Sequence, residues 1–127
     1  MNTPEELRYS PEHEWARLED DGTVRIGLTD YAQDALGDVV YIDLPKAGTE
    51  VAAGAVFSEI ESTKSVSDVY APVSGTIAQV NDELADEPQR INEDPYGEGW
   101  ISVIEPSESG WADQLLDADG YRALLDG

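Results

Sequence analysis

The feature that most limits how this chain can fold is its rhythm. Short runs rich in β-branched and apolar residues recur at close intervals, over 15–18, 23–28, 39–44, 56–61, 66–70, 75–80 and 100–104. Turn chemistry separates them at Asp20-Asp21-Gly22, at 45–48, at Ala53-Gly54 and at Ser74-Gly75, where Gly supplies a positive φ or Pro fixes φ. Many short strands with Gly, Pro and Asp between them are the pattern of a small all-β barrel or sandwich. With 127 residues, one core and one domain spanning 1–127 are expected.

Three stretches depart from that rhythm. Thr29 is placed to cap a short helix running to Leu36, which Gly37 ends. Residues 81–85 suit one more helical turn, with Pro88 beyond it. In the tail, about 109–126, Trp111, Leu115, Leu116, Leu124 and Leu125 lie at helical spacing, which predicts one apolar stripe packed on the β structure. Gly120 is expected to divide this tail into two short helices.

Charge narrows the partners. Seven basic residues against 28 acidic ones give a formal charge of −21, a field that repels phosphate backbones and anionic lipid surfaces, so neither nucleic acid nor a membrane is expected as a partner. The hydrophobic residues, 40% of the chain, never run to the ~20 needed for a membrane helix. Residues 1–10 contain Glu5 and Glu6 and no apolar stretch, which reads as neither a secretory signal nor a transit peptide, and a cytoplasmic location is expected. At ~1 M salt the screening length falls to about 3 Å and most self-repulsion vanishes. The charge therefore points to a salt-rich cytosol such as that of a halophilic archaeon.

Catalytic and metal signatures are missing. There is no cysteine, and the single histidine, His13, cannot supply a zinc site that needs three or four ligands. The pairs Asp20-Asp21 and Asp82-Glu83 lack the spacing of a calcium loop and read as solvated surface. Neither phosphate-binding glycine loops nor a G-x-S-x-G elbow occurs. His13 lies between Glu12 and Glu14, a conceivable acid/base group, although a satisfied histidine at a strand start is the simpler reading. Trp15, Tyr31, Tyr41, Tyr70, Trp100 and Trp111 read as core and cleft wall.

The informative segment is the hairpin over 56–70, two alternating strands around a short polar turn with Lys64 at its middle. Such a turn would project the ammonium from a rigid base into solvent. Only Lys46 and Lys64 occur in the chain, so a composition nearly emptied of lysine retains one at a hairpin tip. A carboxylic cofactor joined through an amide needs a primary amine there, which arginine cannot replace.

Glu61-Ser62-Thr63-Lys64-Ser65-Val66-Ser67-Asp68 resembles the lipoylation segment of the glycine cleavage H-protein family. The likeness extends in order through His13-Glu14-Trp15, Gly27-Leu28-Thr29-Asp30-Tyr31-Ala32-Gln33, Leu36-Gly37-Asp38-Val39-Val40, Tyr70-Ala71-Pro72-Val73-Ser74-Gly75 and Ile91-Asn92-Glu93-Asp94-Pro95-Tyr96. It departs at Val103 and Glu105, where that family commonly has lysines. Biotinyl carriers flank their lysine with methionines, whereas Thr63 and Ser65 flank this one, and the lipoyl domains of 2-oxo-acid dehydrogenases lack both the His-Glu-Trp segment and the helical tail.

The resemblance implies a mainly β, flattened barrel-sandwich hybrid of the lipoyl-domain kind, with short helices and a C-terminal helical segment. It implies lipoate on Lys64, attached by a lipoate ligase or formed by lipoyl synthase, and a carrier that is not itself an enzyme. Such a carrier takes the aminomethyl group of glycine from the P protein (glycine decarboxylase) to the T protein (aminomethyltransferase) and passes electrons to the L protein (dihydrolipoyl dehydrogenase). Glu14 matches the position whose carboxylate faces the loaded amine, with Asp68 as a second cleft candidate. A lipoyl relay protein, passing lipoate or its precursor to other complexes, is the alternative that the resemblance leaves open.

Overall fold

The computed structural model describes residues 2–126. In chain order its strands are β1 (Arg8–Tyr9), β2 (Glu14–Leu18), β3 (Val24–Leu28), β4 (Val39–Asp43), β5 (Glu50–Val51), β6 (Val56–Ser62), β7 (Val66–Tyr70), β8 (Gly75–Val80) and β9 (Ser102–Pro106). Helix α1 (Asp30–Leu36) follows β3, α2 (Glu83–Asp86) and α3 (Arg90–Glu93) lie between β8 and β9, and a 3₁₀ turn (Trp111–Gln114) precedes the last helix, α4 (Ala118–Asp126).

The strands form two sheets that do not close into a barrel. One has the order β1-β2-β3-β9-β8-β5, the other β4-β6-β7. The expected mainly β sandwich with short helices and a C-terminal helix is therefore what the chain adopts. Alternation decides which faces are buried: Val24, Ile26 and Leu28 of β3 turn inward, as do Ser58 and Ile60 of β6. Three apolar clusters result. One joins the smaller sheet to α2 and α3 through Val39, Ile42, Ile60, Leu84 and Ile91. The second fills the larger sheet with Ala16, Ile26, Ile77 and Ile104, and Phe57 touches both. The third gathers Leu7, Tyr9, Trp15, Ala118 and Tyr121 under the C-terminal helix.

Local expectations are corrected at four places. Gly120 does not divide the tail; it lies inside α4, donating its N–H to Asp117 Oδ1 at 2.8 Å. The break falls at 115–117 because Tyr9 and Leu116 exchange backbone hydrogen bonds of 2.8 Å each and pull that stretch into a bridge with β1. Nor is there one apolar stripe: Leu115 packs with the second cluster, Leu116 and Leu125 with the third, and Leu124 is 42% exposed. Gly75 is not a turn glycine but the first residue of β8, where a β-carbon would overlap the Glu105 carbonyl. Tyr41 is half-exposed on the outer face of β4, neither core nor cleft wall.

Candidate functional site: the lysine hairpin and its cleft

The site is built on the β6–β7 hairpin, whose four-residue tip is fixed by its own backbone. Ser62 N–H donates to the Ser65 carbonyl at 2.8 Å, and the Ser62 hydroxyl oxygen accepts the N–H groups of Lys64 and Ser65, both at 3.1 Å. Thr63 N–H donates to the Asp38 carbonyl at 3.0 Å. All four tip amides are thus satisfied, one of them by the α1–β4 turn, which pins the tip against the rest of the fold.

That turn is itself clasped. Asn92 accepts the Val39 N–H at 2.8 Å and donates to the Gly37 carbonyl at 2.8 Å and to Gln33 Oε1 at 3.1 Å. Gly37, at φ 83° and ψ −161°, occupies a region essentially restricted to glycine. Its missing β-carbon also makes room: one placed there would lie 2.7 Å from Lys64 Cε. The lysine is exposed, as expected, but its stem lies across Gly37 at the end of α1 instead of standing free in solvent.

From that end a cleft of about 240 Å³ runs between α1 and β7. Tyr31, Ala32, Ala35 and Leu36 form one wall, Ser65 to Val69 the other, and Leu28 and Ile60 the floor. Glu12 and His13 line the cleft where α1 begins, about 10 Å from Gly37 at 1.5 Å of helix rise per residue. A lysine adjoining the wall residue Ser65 at one end, a lining of mixed apolar and polar side chains, and Glu12 and His13 at the other end suit a medium-length acyl chain with a polar terminus.

Asp68 lies on the cleft wall and is exposed. Glu14 is not on that wall. It is 2% exposed, takes a 2.5 Å hydrogen bond from the Ser10 hydroxyl and a 3.3 Å one from Tyr70 N–H, and lines a neighbouring cavity of about 230 Å³. Burial pushes its carboxyl up to about 7; the hydrogen bonds from Ser10 and Tyr70 oppose the rise and Glu12 adds slightly to it. Glu12 lines both cavities, so the residue that the structure brings together with Asp68 is Glu12, with Glu14 buried behind it.

This geometry has a known counterpart. The sequence profile of the glycine cleavage H-protein family matches residues 7–127. The chain belongs to the glycine cleavage H-protein family. It is 54% identical over 125 residues to the glycine cleavage system H protein of Geobacillus thermodenitrificans, covering 98% of each chain, and 60% identical over 121 residues to that of Micrococcus luteus, covering 94% of each. The crystal structure of a glycine cleavage system H protein from Mycobacterium marinum superposes with a TM-score of 0.89 at 40% identity, covering 98% of this chain and 99% of that one. Membership in the H-protein family carries with it the role of lipoyl carrier in glycine cleavage.

Several residues of the site escaped the sequence reading. Gly37 was legible as a helix end but not as a berth for Lys64, and Asn92 stood only within the family likeness with no sign of its clasp, because its three partners lie more than fifty residues away in the chain. Glu12 stood out only as a neighbour of His13, and nothing in the sequence indicated that it would line both cavities.

Proposed function

We propose that Lys64 is the lipoyl attachment site and that the α1–β7 cleft shelters what the arm carries. The observation that carries the proposal is the placement of the chain's one hairpin-tip lysine, on a tip with every amide satisfied and directly before Ser65, where the mixed polar and apolar wall of the α1–β7 cleft begins. Bound there, lipoate supplies a disulfide that takes up the aminomethyl group left by glycine decarboxylation and a dithiol that hands on two electrons.

The remaining work belongs to the protein's own side chains. Ala32, Ala35, Leu36 and Val69 exclude water from the cleft, which matters because the cargo is hydrolysable. Asp68 and Glu12 set negative charge around a cationic amine. Glu14, ionising near neutrality, gains a charge most readily when a cation stands close by. Replacing Glu14 with Ala should then speed loss of the carried group without preventing lipoylation; an unchanged rate would remove its role.

In this reading the chain is a carrier and not a stand-alone enzyme. Its partners are the P, T and L proteins and a lipoate ligase or lipoyl synthase. It works in the cytoplasm, in a salt-rich cell of the kind found among halophilic archaea. That last attribution rests on charge alone, since the relatives described above are bacterial. The deciding experiment gives lipoylated protein the P protein and isotopically labelled glycine: label on the Lys64 peptide is expected. A relay protein would donate its lipoyl group to other carriers and acquire no label, and its gene would be dispensable for growth on glycine.

A further inference from the structure

We propose that His13 is a hydrogen-bond donor at the far end of the cleft, locked by Tyr121 and Thr29 with its proton on Nε2, so that this N–H meets the sulfur end of the arm on Lys64. The identity of the acceptor rests on lipoyl attachment at Lys64; the position of the proton does not.

The proton is placed by counting hydrogens. Thr29 and Tyr121 are both 0% exposed, and the Tyr121 hydroxyl lies 2.7 Å from Thr29 Oγ1 and 2.8 Å from His13 Nδ1. Thr29 Oγ1 also accepts the Ala32 N–H as the cap of α1, and has no further partner among the described residues. If Nδ1 carried the proton, it would donate to Tyr121 and Tyr121 to Thr29, leaving the Thr29 hydroxyl hydrogen buried with no acceptor, at the full desolvation cost of a lost bond. In the opposite direction Thr29 donates to Tyr121, Tyr121 donates to Nδ1, and every hydrogen is used. A neutral imidazole whose Nδ1 accepts carries its hydrogen on Nε2. Burial holds the ring below the ordinary histidine value, with Glu12 opposing, so the neutral form prevails at neutral pH.

The backbone aims this ring. His13 is the one non-glycine residue among those described with a positive φ, 75°, and such strain persists where surrounding structure imposes it. Its N–H donates to Ser10 at 3.1 Å and its carbonyl accepts from Thr29 at 3.1 Å. The ring then stands on the cleft wall, 4.7 Å from the Tyr31 ring, with Nε2 unpaired by any described residue. Sulfur, as disulfide or thiolate, accepts hydrogen bonds, and a carried amine turns instead to Glu12 and Asp68. Tyr121 is the positioning residue, reaching His13 and Thr29 from α4, the helix that packs on β1.

His13 is the chain's only histidine, so its ring nitrogens can be read by ¹⁵N NMR in the intact, unmodified protein without ambiguity. A pyridine-type Nδ1 and a pyrrole-type Nε2 are expected. Tyr121→Phe keeps the ring that stacks on Tyr9 at 4.6 Å but deletes the donor, and should convert this single tautomer into a mixture. A pyrrole-type Nδ1 in the wild type, or an unchanged ratio in the variant, would overturn the assignment. In protein shown by mass to be lipoylated, the Nε2 and Hε1 resonances should shift, and the shift should shrink at least twofold in Tyr121→Phe. Mass gained with unmoved resonances defeats the His13 contact alone. No mass gain defeats the lipoyl reading, and the contact with it, while the tautomer stands.

Discussion

Burying Glu14 makes the protein's stability depend on pH in a direction opposite to that of most paired carboxylates. In the unfolded chain its carboxyl ionises near 4.5, in the folded one near 7. Below 4.5 both states are protonated and burial costs nothing in charge. Between 4.5 and 7 the unfolded state gives up its proton first, stability falls with rising pH, and above 7 the loss is complete. At about 1.4 kcal/mol for each tenfold change in proton affinity, the loss is about 3 kcal/mol. Glu14→Gln removes it. The amide oxygen keeps the Ser10 hydroxyl bond, while the amide nitrogen faces the Tyr70 N–H and forfeits that bond, a cost of about 1 kcal/mol. The variant is therefore expected to be about 1 kcal/mol less stable than wild type at pH 4, where the charge penalty has not yet developed, and about 2 kcal/mol more stable at pH 8. Urea unfolding at fixed high salt, followed by tryptophan fluorescence, measures both differences, and comparison with wild type cancels the titration of the other carboxylates. A stability difference that does not change sign between the two pH values would refute this reasoning.

Two further outcomes follow from the same geometry. Asn92→Ala removes three hydrogen bonds from the α1–β4 turn and should cost about 2–3 kcal/mol, with the Thr63 amide, whose acceptor is Asp38, losing hydrogen-exchange protection while the β8–β9 ladder keeps its own. On the smaller sheet, Glu59 stands in register between Asp43 and Asp68, a row of three exposed like charges that salt must screen. Dialysis to low ionic strength should cause cooperative unfolding, and Glu59→Lys, which turns two repulsive cross-strand pairs into attractive ones, should recover about 1 kcal/mol there and far less at ~1 M salt.

How much of this was legible in the sequence depended on how local the controlling physics is. The Lys64 hairpin and the Thr29 cap are decided within a few residues by alternation and capping chemistry, and both appear where the pattern puts them. β1 and β5, two residues each, have no periodicity to detect and exist only because β2 and β8 lie beside them. The break at 115–117 was misplaced onto Gly120 because a bridge between Tyr9 and Leu116 spans more than a hundred residues, and no local signal announces it. Glu14 and Glu12 show the same limit at the site. Both are carboxylates in an acidic chain, and only the folded arrangement buries one behind Ser10 and leaves the other lining two cavities.

The central claim is that Lys64, and no other group, carries the cofactor. Intact mass before and after treatment with lipoate, ATP and a lipoate ligase tests it most directly, followed by tryptic mapping of a chain whose only other lysine is Lys46. One lipoyl group is expected, with cleavage lost after Lys64 and retained after Lys46, and Lys64→Arg should abolish the gain. Lipoylation that persists in Lys64→Arg, or that maps to Lys46, would contradict it.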